Sequence, residues 1–199
     1  MIVYGLMILA AYLVGSIASA ILVCKMLGKE DPRSEGSMNP GATNVLRLHG
    51  KKAAALTLLG DATKGFLPVL LVKLTVSPDP VIALTALAAF LGHLYPVFFQ
   101  FRGGKGVATF VGVLFAMHWG LGLGFAITWL LMAFIFRYSS LAALTAACLA
   151  PLVSLWFYPS AAIVTSNSVM AILLLWRHRS NISNLVNGRE NKLGSKKTG

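Results

Sequence analysis

The chain has 199 residues, of which 57% are hydrophobic and only 12% charged, and its mean hydropathy of +0.76 excludes an ordinary soluble domain and points to a membrane. Seventeen Lys and Arg against six Asp and Glu give a net charge of +11, yet these cations avoid the long apolar stretches and gather in short segments and the tail. That distribution excludes a nucleic-acid-binding surface and reads as topology signals and anion ligands.

The first apolar run, Ile2–Leu27, has no basic residues ahead of it and is long enough to span a bilayer. It reads as a retained transmembrane helix with its N-terminus outside, not as a secretory signal. Gly28–Lys52 follows with Lys29, Arg33, Arg47, Lys51 and Lys52, so the positive-inside rule makes it cytoplasmic. Ala53–Val76 forms a second span, Ser77–Pro80 an outside turn without a basic residue, and Val81–Phe101 a third span leading to a cytoplasmic loop at Arg102–Gly106. The block from Val107 to Trp176 then carries only one charge, Arg137. Because the tail is basic again (Arg177, Arg179, Arg189, Lys192, Lys196, Lys197), an even number of crossings must separate Gly106 from Arg177. Turns at Trp119–Gly124, Phe136–Ser140 and Phe157–Ser160 cut the block into four short helices and leave Arg137 inside. Two very long helices are the alternative. The expected fold is therefore an all-α polytopic integral membrane protein of seven (alternatively five) transmembrane helices, several of them short, with cytoplasmic glycine-rich loops. Residues 1–186 form one transmembrane domain and 187–199 a polar cytoplasmic tail. Cys24 and Cys148 lie inside apolar runs without a Cys or His at metal-ligand spacing and read as small buried hydrophobes.

Three segments assigned to one face carry the chemistry. The first loop contains Gly36-Ser37-Met38-Asn39-Pro40-Gly41-Ala42-Thr43-Asn44 and then Arg47. Such a loop can turn backbone N–H groups toward one point, with Ser37, Thr43 and Asn44 adding side-chain donors and Arg47 a fork for phosphate. A turn-rich connector whose Gly and Asn only satisfy positive φ fits the same composition. The second loop, Arg102-Gly103-Gly104-Lys105-Gly106-Val107-Ala108-Thr109, opens a helix. Its glycines let phosphate approach the backbone beside the helix N-terminus and the Lys105 charge. It lacks Walker A spacing, and a tight inter-helix turn is its plain alternative. In the third, His178 and Asn181 share one face of a continuing helix, where one can donate to phosphate while the other orients a hydroxyl. Inside the second span Asp61 and Lys64 can pair at i, i+3, as a structural salt bridge or a catalytic element, and His93 in the third can hydrogen-bond a neighbouring helix. No paired carboxylates, Ser/His/Asp triad or His-x4-Asp signature is recognisable, so an enzyme built from these parts works by positioning and electrostatics.

These residues resemble the bacterial acyl-phosphate:glycerol-3-phosphate acyltransferase family, the PlsY type. The likeness lies in Asp31–Arg47 with its Gly-Ser-x-Asn-Pro-Gly-Ala-Thr-Asn core, in Gly92–Thr109 with Gly-His-x-x-Pro and Gly-Gly-Lys-Gly-Val-Ala-Thr, in Asp61-x-x-Lys64-Gly65, and in His178–Lys192 with His-x-x-Asn-Ile and Gly-x-Glu-x-Lys. The resemblance implies a seven-helix enzyme of the bacterial inner membrane, with its site and C-terminus cytoplasmic. It would move a fatty acyl group from acyl phosphate to the sn-1 hydroxyl of glycerol 3-phosphate, yielding lysophosphatidic acid and phosphate without cofactor or metal. Carried onto this chain, Ser37, Asn39, Thr43 and Asn44 hold the acyl-phosphate head group, and Arg47, Lys105, His178 and Asn181 hold glycerol 3-phosphate. Lys105, His178, Asn181 and Ser37 carry catalysis; Gly41, Gly103, Gly104, Ser139, Ser140 and Glu190 complete substrate binding. The expected partners are the two substrates and membrane lipids, with a monomer working alongside an acyl-phosphate-producing enzyme. Met38 departs from the family's usual glycine, Asn184 from arginine and Ala18 from proline; at Met38 a positive φ would be strained. The reading from a different class is a small anion or phosphate-ester transporter, which would suit basic loops and intramembrane Asp, Lys and His.

Overall fold

The computed structural model describes residues 1–194, so Lys196 and Lys197 of the basic tail lie outside the described residues. The first apolar run is broken: α1 (Ile2–Gly15) and α2 (Ser19–Met26) meet at a 45° bend. α3 (Ala42–Leu74) starts well before the expected second span, because the basic loop folds its last part into a helical arm. Gly50, at φ 84° and ψ −176°, separates that arm from the spanning part. α4 (Asp79–Leu94) stops sooner than expected: Tyr95 leaves the helical region and Pro96 precedes a 3-10 turn at Val97–Phe99, as the restricted residue before proline requires.

The apolar block divides into four helices, α5 (Val107–Met117), α6 (Trp119–Phe136), α7 (Ser139–Phe157) and α8 (Ala161–Arg177). Two of the three expected turns lie where the sequence has them. The first falls at His118, whose extended backbone breaks the chain and whose ring accepts from the Gly120 N–H. Gly120, Gly122 and Gly124 are helical instead, because they are packing sites: added Cβ atoms would meet Phe157, Phe115 and Val153. α9 (Arg179–Val186) follows α8 across a 60° bend. Among the described residues, four helices are long and apolar enough to cross a membrane, and up to six crossings result if each bent pair counts as one; α5, with 11 residues, is shorter. Cys24 is buried, but Cys148 is exposed on α7, contrary to expectation, because the buried stripe of that helix runs through Ala143, Ala146, Ala147 and Ala150.

Glycine contacts set the helix crossings. A Cβ on Gly15 would lie 2.2 Å from the Ala89 carbonyl oxygen, and one on Gly92 2.3 Å from that of Tyr12, so α1 and α4 touch backbone to backbone. Gly65 against Thr109 and Gly112 against Ala62, at 2.3 and 2.0 Å, do the same for α3 and α5. Without a hydrophobic force between helices in lipid, such close approach is the main source of association. It is also what brings Asp61 and Lys64 of α3 and His93 of α4 to the start of α5. At the other end of α5, the Lys73 ammonium of α3 donates to the Ala116 and Met117 carbonyls, satisfying acceptors that a helix terminus leaves open.

Candidate active site

One cleft is lined by Ser37, Asn39, Gly41, Thr43, Asn44, Arg47, Lys105, Ser139, Ser140, His178, Asn181 and Glu190, with Asp61 and His93 at its inner end. Gly103, Gly104 and Lys64 border a smaller hollow that shares Asp61 and His93 with the cleft. The residues singled out in three separate stretches of sequence thus converge.

The first loop is shaped from within by Asn44. Its buried amide donates to the carbonyls of Pro32 (2.7 Å) and Glu35 (3.2 Å) and accepts the Ser37 N–H (3.0 Å). Both amide hydrogens are thereby used, so the side chain folds the cradle. A Cβ at Gly36, φ 65°, would strike the side-chain Oδ1 of Asn44 at 2.4 Å. Met38 has φ 53° and is exposed, the strained geometry expected where a glycine is replaced. Ser37 and Asn39 on either side of it face the cleft.

The glycine loop is held against the end of α4. The Gly104 N–H donates to the His93 carbonyl (3.2 Å), and a Cβ on Gly103 or Gly104 would collide with His93 at 2.0 and 2.2 Å. From the other side the Arg177 guanidinium donates to the carbonyls of Gly103 (2.7 Å) and Gly104 (3.1 Å) and lies over the Tyr95 ring. Arg177 therefore shapes the site, although by sequence it is only one cation of a basic tail. The sole hint is its position beside His178.

Asp61 pairs with Lys64 at 2.9 Å, its Oδ1 lies 3.6 Å from His93 Nδ1, and Lys64 also donates to the Ile17 carbonyl at the α1–α2 break (2.6 Å). The expected i, i+3 pair is present and is tied to two further helices. Its neutralisation in place removes much of the penalty of burying charge.

Three helices begin at the cleft: α3 with Ala42 and Thr43, α5 with Val107 and Ala108, and α7 with Ser139 and Ser140. None of the three carries a side-chain N-cap, so the N–H groups of their first two residues are open to an anion, and their dipoles add at one place. The third N–H of α3, on Asn44, donates to the Gly41 carbonyl. Lys105 donates to the Asn181 Oδ1; Asn181 Nδ2 donates to Glu190 (2.8 Å), and the Ser140 hydroxyl to the same oxygen (2.6 Å). Burial pushes the Lys105 ammonium below its ordinary value, Glu190 opposing this while Arg177 and Arg47 reinforce it. Such a gathering of cations is relieved by a bound phosphate.

His178 sits at the α8–α9 bend, so the helix does not continue straight as the i, i+3 spacing suggests; the bend nevertheless keeps both His178 and Asn181 in the cleft. His178 Nδ1 lies 2.9 Å from the Leu174 carbonyl. A carbonyl only accepts, so Nδ1 carries the hydrogen and Nε2 keeps a lone pair. Burial is the main cause that lowers its pKa to about 4, and the ring is neutral at physiological pH.

The family described as Glycerol-3-phosphate acyltransferase matches residues 5–188. The chain is 56% identical to a glycerol-3-phosphate acyltransferase of Burkholderia ambifaria, over 95% of this chain and 90% of that one. It is 54% identical to one of Methylococcus capsulatus, over 96% and 97%. Among solved structures, it is similar to PlsY (YgiH), an integral membrane glycerol 3-phosphate acyltransferase. The glycerol 3-phosphate form superposes with a TM-score of 0.92 at 41% identity, covering 96% of both chains. For the lysophosphatidic acid form the TM-score is 0.90 at 40% identity, over 96% of this chain and 95% of that one.

Proposed function

The chain belongs to the glycerol-3-phosphate acyltransferase family, and from that premise we propose that its donor is acyl phosphate and that the cleft holds both phosphates at once. It is an integral membrane glycerol-3-phosphate acyltransferase forming lysophosphatidic acid in phospholipid synthesis; nothing favours a transporter.

The observation that carries the proposal is the convergence of three uncapped helix N-termini with Lys105 and Arg47 on one cleft. Ser37, Asn39, Thr43 and the first turn of α3 hold the donor phosphate, inside the cradle that Asn44 folds. Arg47, Lys105 and Asn181 hold glycerol 3-phosphate. The Nε2 lone pair of His178 accepts from the sn-1 hydroxyl and aims its oxygen at the acyl carbon. The new ester bond forms there, the bond from acyl carbon to phosphate oxygen breaks, and the hydroxyl proton leaves on inorganic phosphate. Because the mixed anhydride is already activated, orientation and stabilisation of the developing oxyanion suffice. The acyl chain runs out over Leu58 and Ala143, the apolar lining of the cleft.

The proposed setting is the bacterial inner membrane, with the N-terminus outside and the site and C-terminus in the cytoplasm. α5 and α7 both begin at the cleft, so α5 and α6 must run in opposite directions, which supports seven passes. Residues 1–186 act as one domain, as a monomer supplied by an enzyme that makes acyl phosphate.

Purified protein in detergent, given palmitoyl phosphate and glycerol 3-phosphate, is expected to release inorganic phosphate and form lysophosphatidic acid. The same protein with palmitoyl-CoA is expected to release no CoA. Turnover with the thioester and none with the anhydride would overturn the assignment of the donor.

A further inference from the structure

Glu190 lies beyond α9, in the stretch whose composition reads as a polar tail, yet its carboxylate enters the cleft. Two devices bring it there. The first is a reversal of the chain at the end of α9: the Gly188 N–H donates to the Leu185 carbonyl and the Arg189 N–H to that of Asn184, with Gly188 at φ 66°. These are the paired bonds of a Schellman motif, which requires the left-handed conformation that glycine adopts freely. The second is a latch on the α6–α7 turn. The Leu193 N–H donates to the Arg137 carbonyl (2.6 Å), the Arg137 guanidinium donates back to the Leu193 carbonyl (3.2 Å), and the Lys192 ammonium lies 5.8 Å from the Tyr138 ring centre. Arg137 itself is left-handed at φ 63°, a conformation a non-glycine residue keeps only where its surroundings hold it.

Between these anchors Glu190 accepts from Ser140 and from Asn181 Nδ2. An amide that donates through nitrogen to Glu190 must turn its oxygen to Lys105, as observed. The lysine is thus fixed by a neutral oxygen, with the carboxylate one residue removed. Its charge is left for phosphate instead of being consumed in an ion pair. We propose that Arg189–Leu193 is a strap, latched on Arg137, which holds Glu190 and through it sets Asn181 and Lys105 for glycerol 3-phosphate. Arg137 and Leu193 are positioning residues, and their role rests on the reading of Lys105 and Asn181 as ligands of that substrate.

The test uses the full chain in detergent, with Arg137→Ala, which removes one exposed side chain, and Leu193→Pro, which removes one N–H, each alone and combined with Glu190→Ala. With saturating palmitoyl phosphate, each is expected to raise KM for glycerol 3-phosphate about three- to tenfold, with kcat within about twofold, as loss of one hydrogen bond predicts. Thermal unfolding is expected to stay unchanged, and calorimetric Kd values to follow KM. In the Glu190→Ala background neither substitution is expected to add anything, because coupled residues are not additive. Unchanged KM in both single variants, or effects that add undiminished to Glu190→Ala, would overturn the strap. Lys105→Ala, run alongside, separates the two levels: if it binds glycerol 3-phosphate normally, the site assignment fails, whereas a failed strap leaves its defect intact.

Discussion

His178 was legible as a candidate cleft residue from its spacing to Asn181, but its protonation state was not. The hydrogen bond to Leu174 and its burial in the cleft make it a neutral acceptor, and both depend on packing that no local pattern encodes. A folded pKa lowered to about 4 from the ordinary 6.5 means that Nε2 keeps its lone pair as pH falls through the usual histidine range. It is lost only close to the lower value. The ratio of wild-type to His178→Gln activity, in which substrate ionisation cancels, is therefore expected to stay flat through 6.5 and collapse only toward 4. Because glutamine also offers an acceptor, the loss at neutral pH is expected to be about tenfold, the size of one neutral hydrogen bond. A ratio that falls through 6.5 would show a solvated, ordinary histidine. Asn44 is the complementary case. Its motif marked it as a ligand, but the tertiary bonds to Pro32, Glu35 and Ser37 commit it to folding the loop.

Among the helices, apolar length predicted existence well and boundaries poorly. The four-way division of Val107–Trp176 follows from charge placement and turn residues, whereas the early start of α3 and the break at His118 do not. Hydrophobic content is nearly uniform along these stretches, and glycine marks packing as often as turning. Gly112 and Gly5 separate the two roles. A Cβ on Gly112 would stand 2.0 Å from the Ala62 carbonyl oxygen, while one on Gly5 meets nothing within 4 Å. Gly112→Ala is expected to push α3 from α5 and lower stability by about 1–3 kcal/mol, as overpacking does. Gly5→Ala is expected to be neutral or stabilising by up to about 1 kcal/mol through helix propensity. Thermal unfolding of both proteins in detergent checks the pair; equal melting temperatures would contradict the close α3–α5 crossing.

For the molecule as a whole, the positive-inside rule applied to the basic Gly28–Lys52 segment and tail, against the uncharged-to-acidic Ser77–Pro80 turn, predicts an outside Ser77–Pro80 turn and an inside Arg137. With Cys24 and Cys148 replaced, Val76→Cys is expected to react with an impermeant thiol reagent from outside intact cells, and Tyr138→Cys only after permeabilisation. Labelling of Tyr138→Cys from outside would contradict seven passes with a cytoplasmic site. Membrane class, helical architecture, the family and most cleft residues were determined by the sequence alone. Hydropathy and charge act locally, and the ligand motifs are short contiguous strings. Only the tertiary structure decided that Arg177 grips the glycine loop, that Lys64 reaches Ile17, and that Glu190 is latched beside Asn181 through Arg137 and Leu193. The Arg177, Lys64 and Arg137 contacts are hydrogen bonds from a side chain to a backbone carbonyl distant in the chain. Every residue carries such a carbonyl, so composition and spacing leave no trace of which one is chosen.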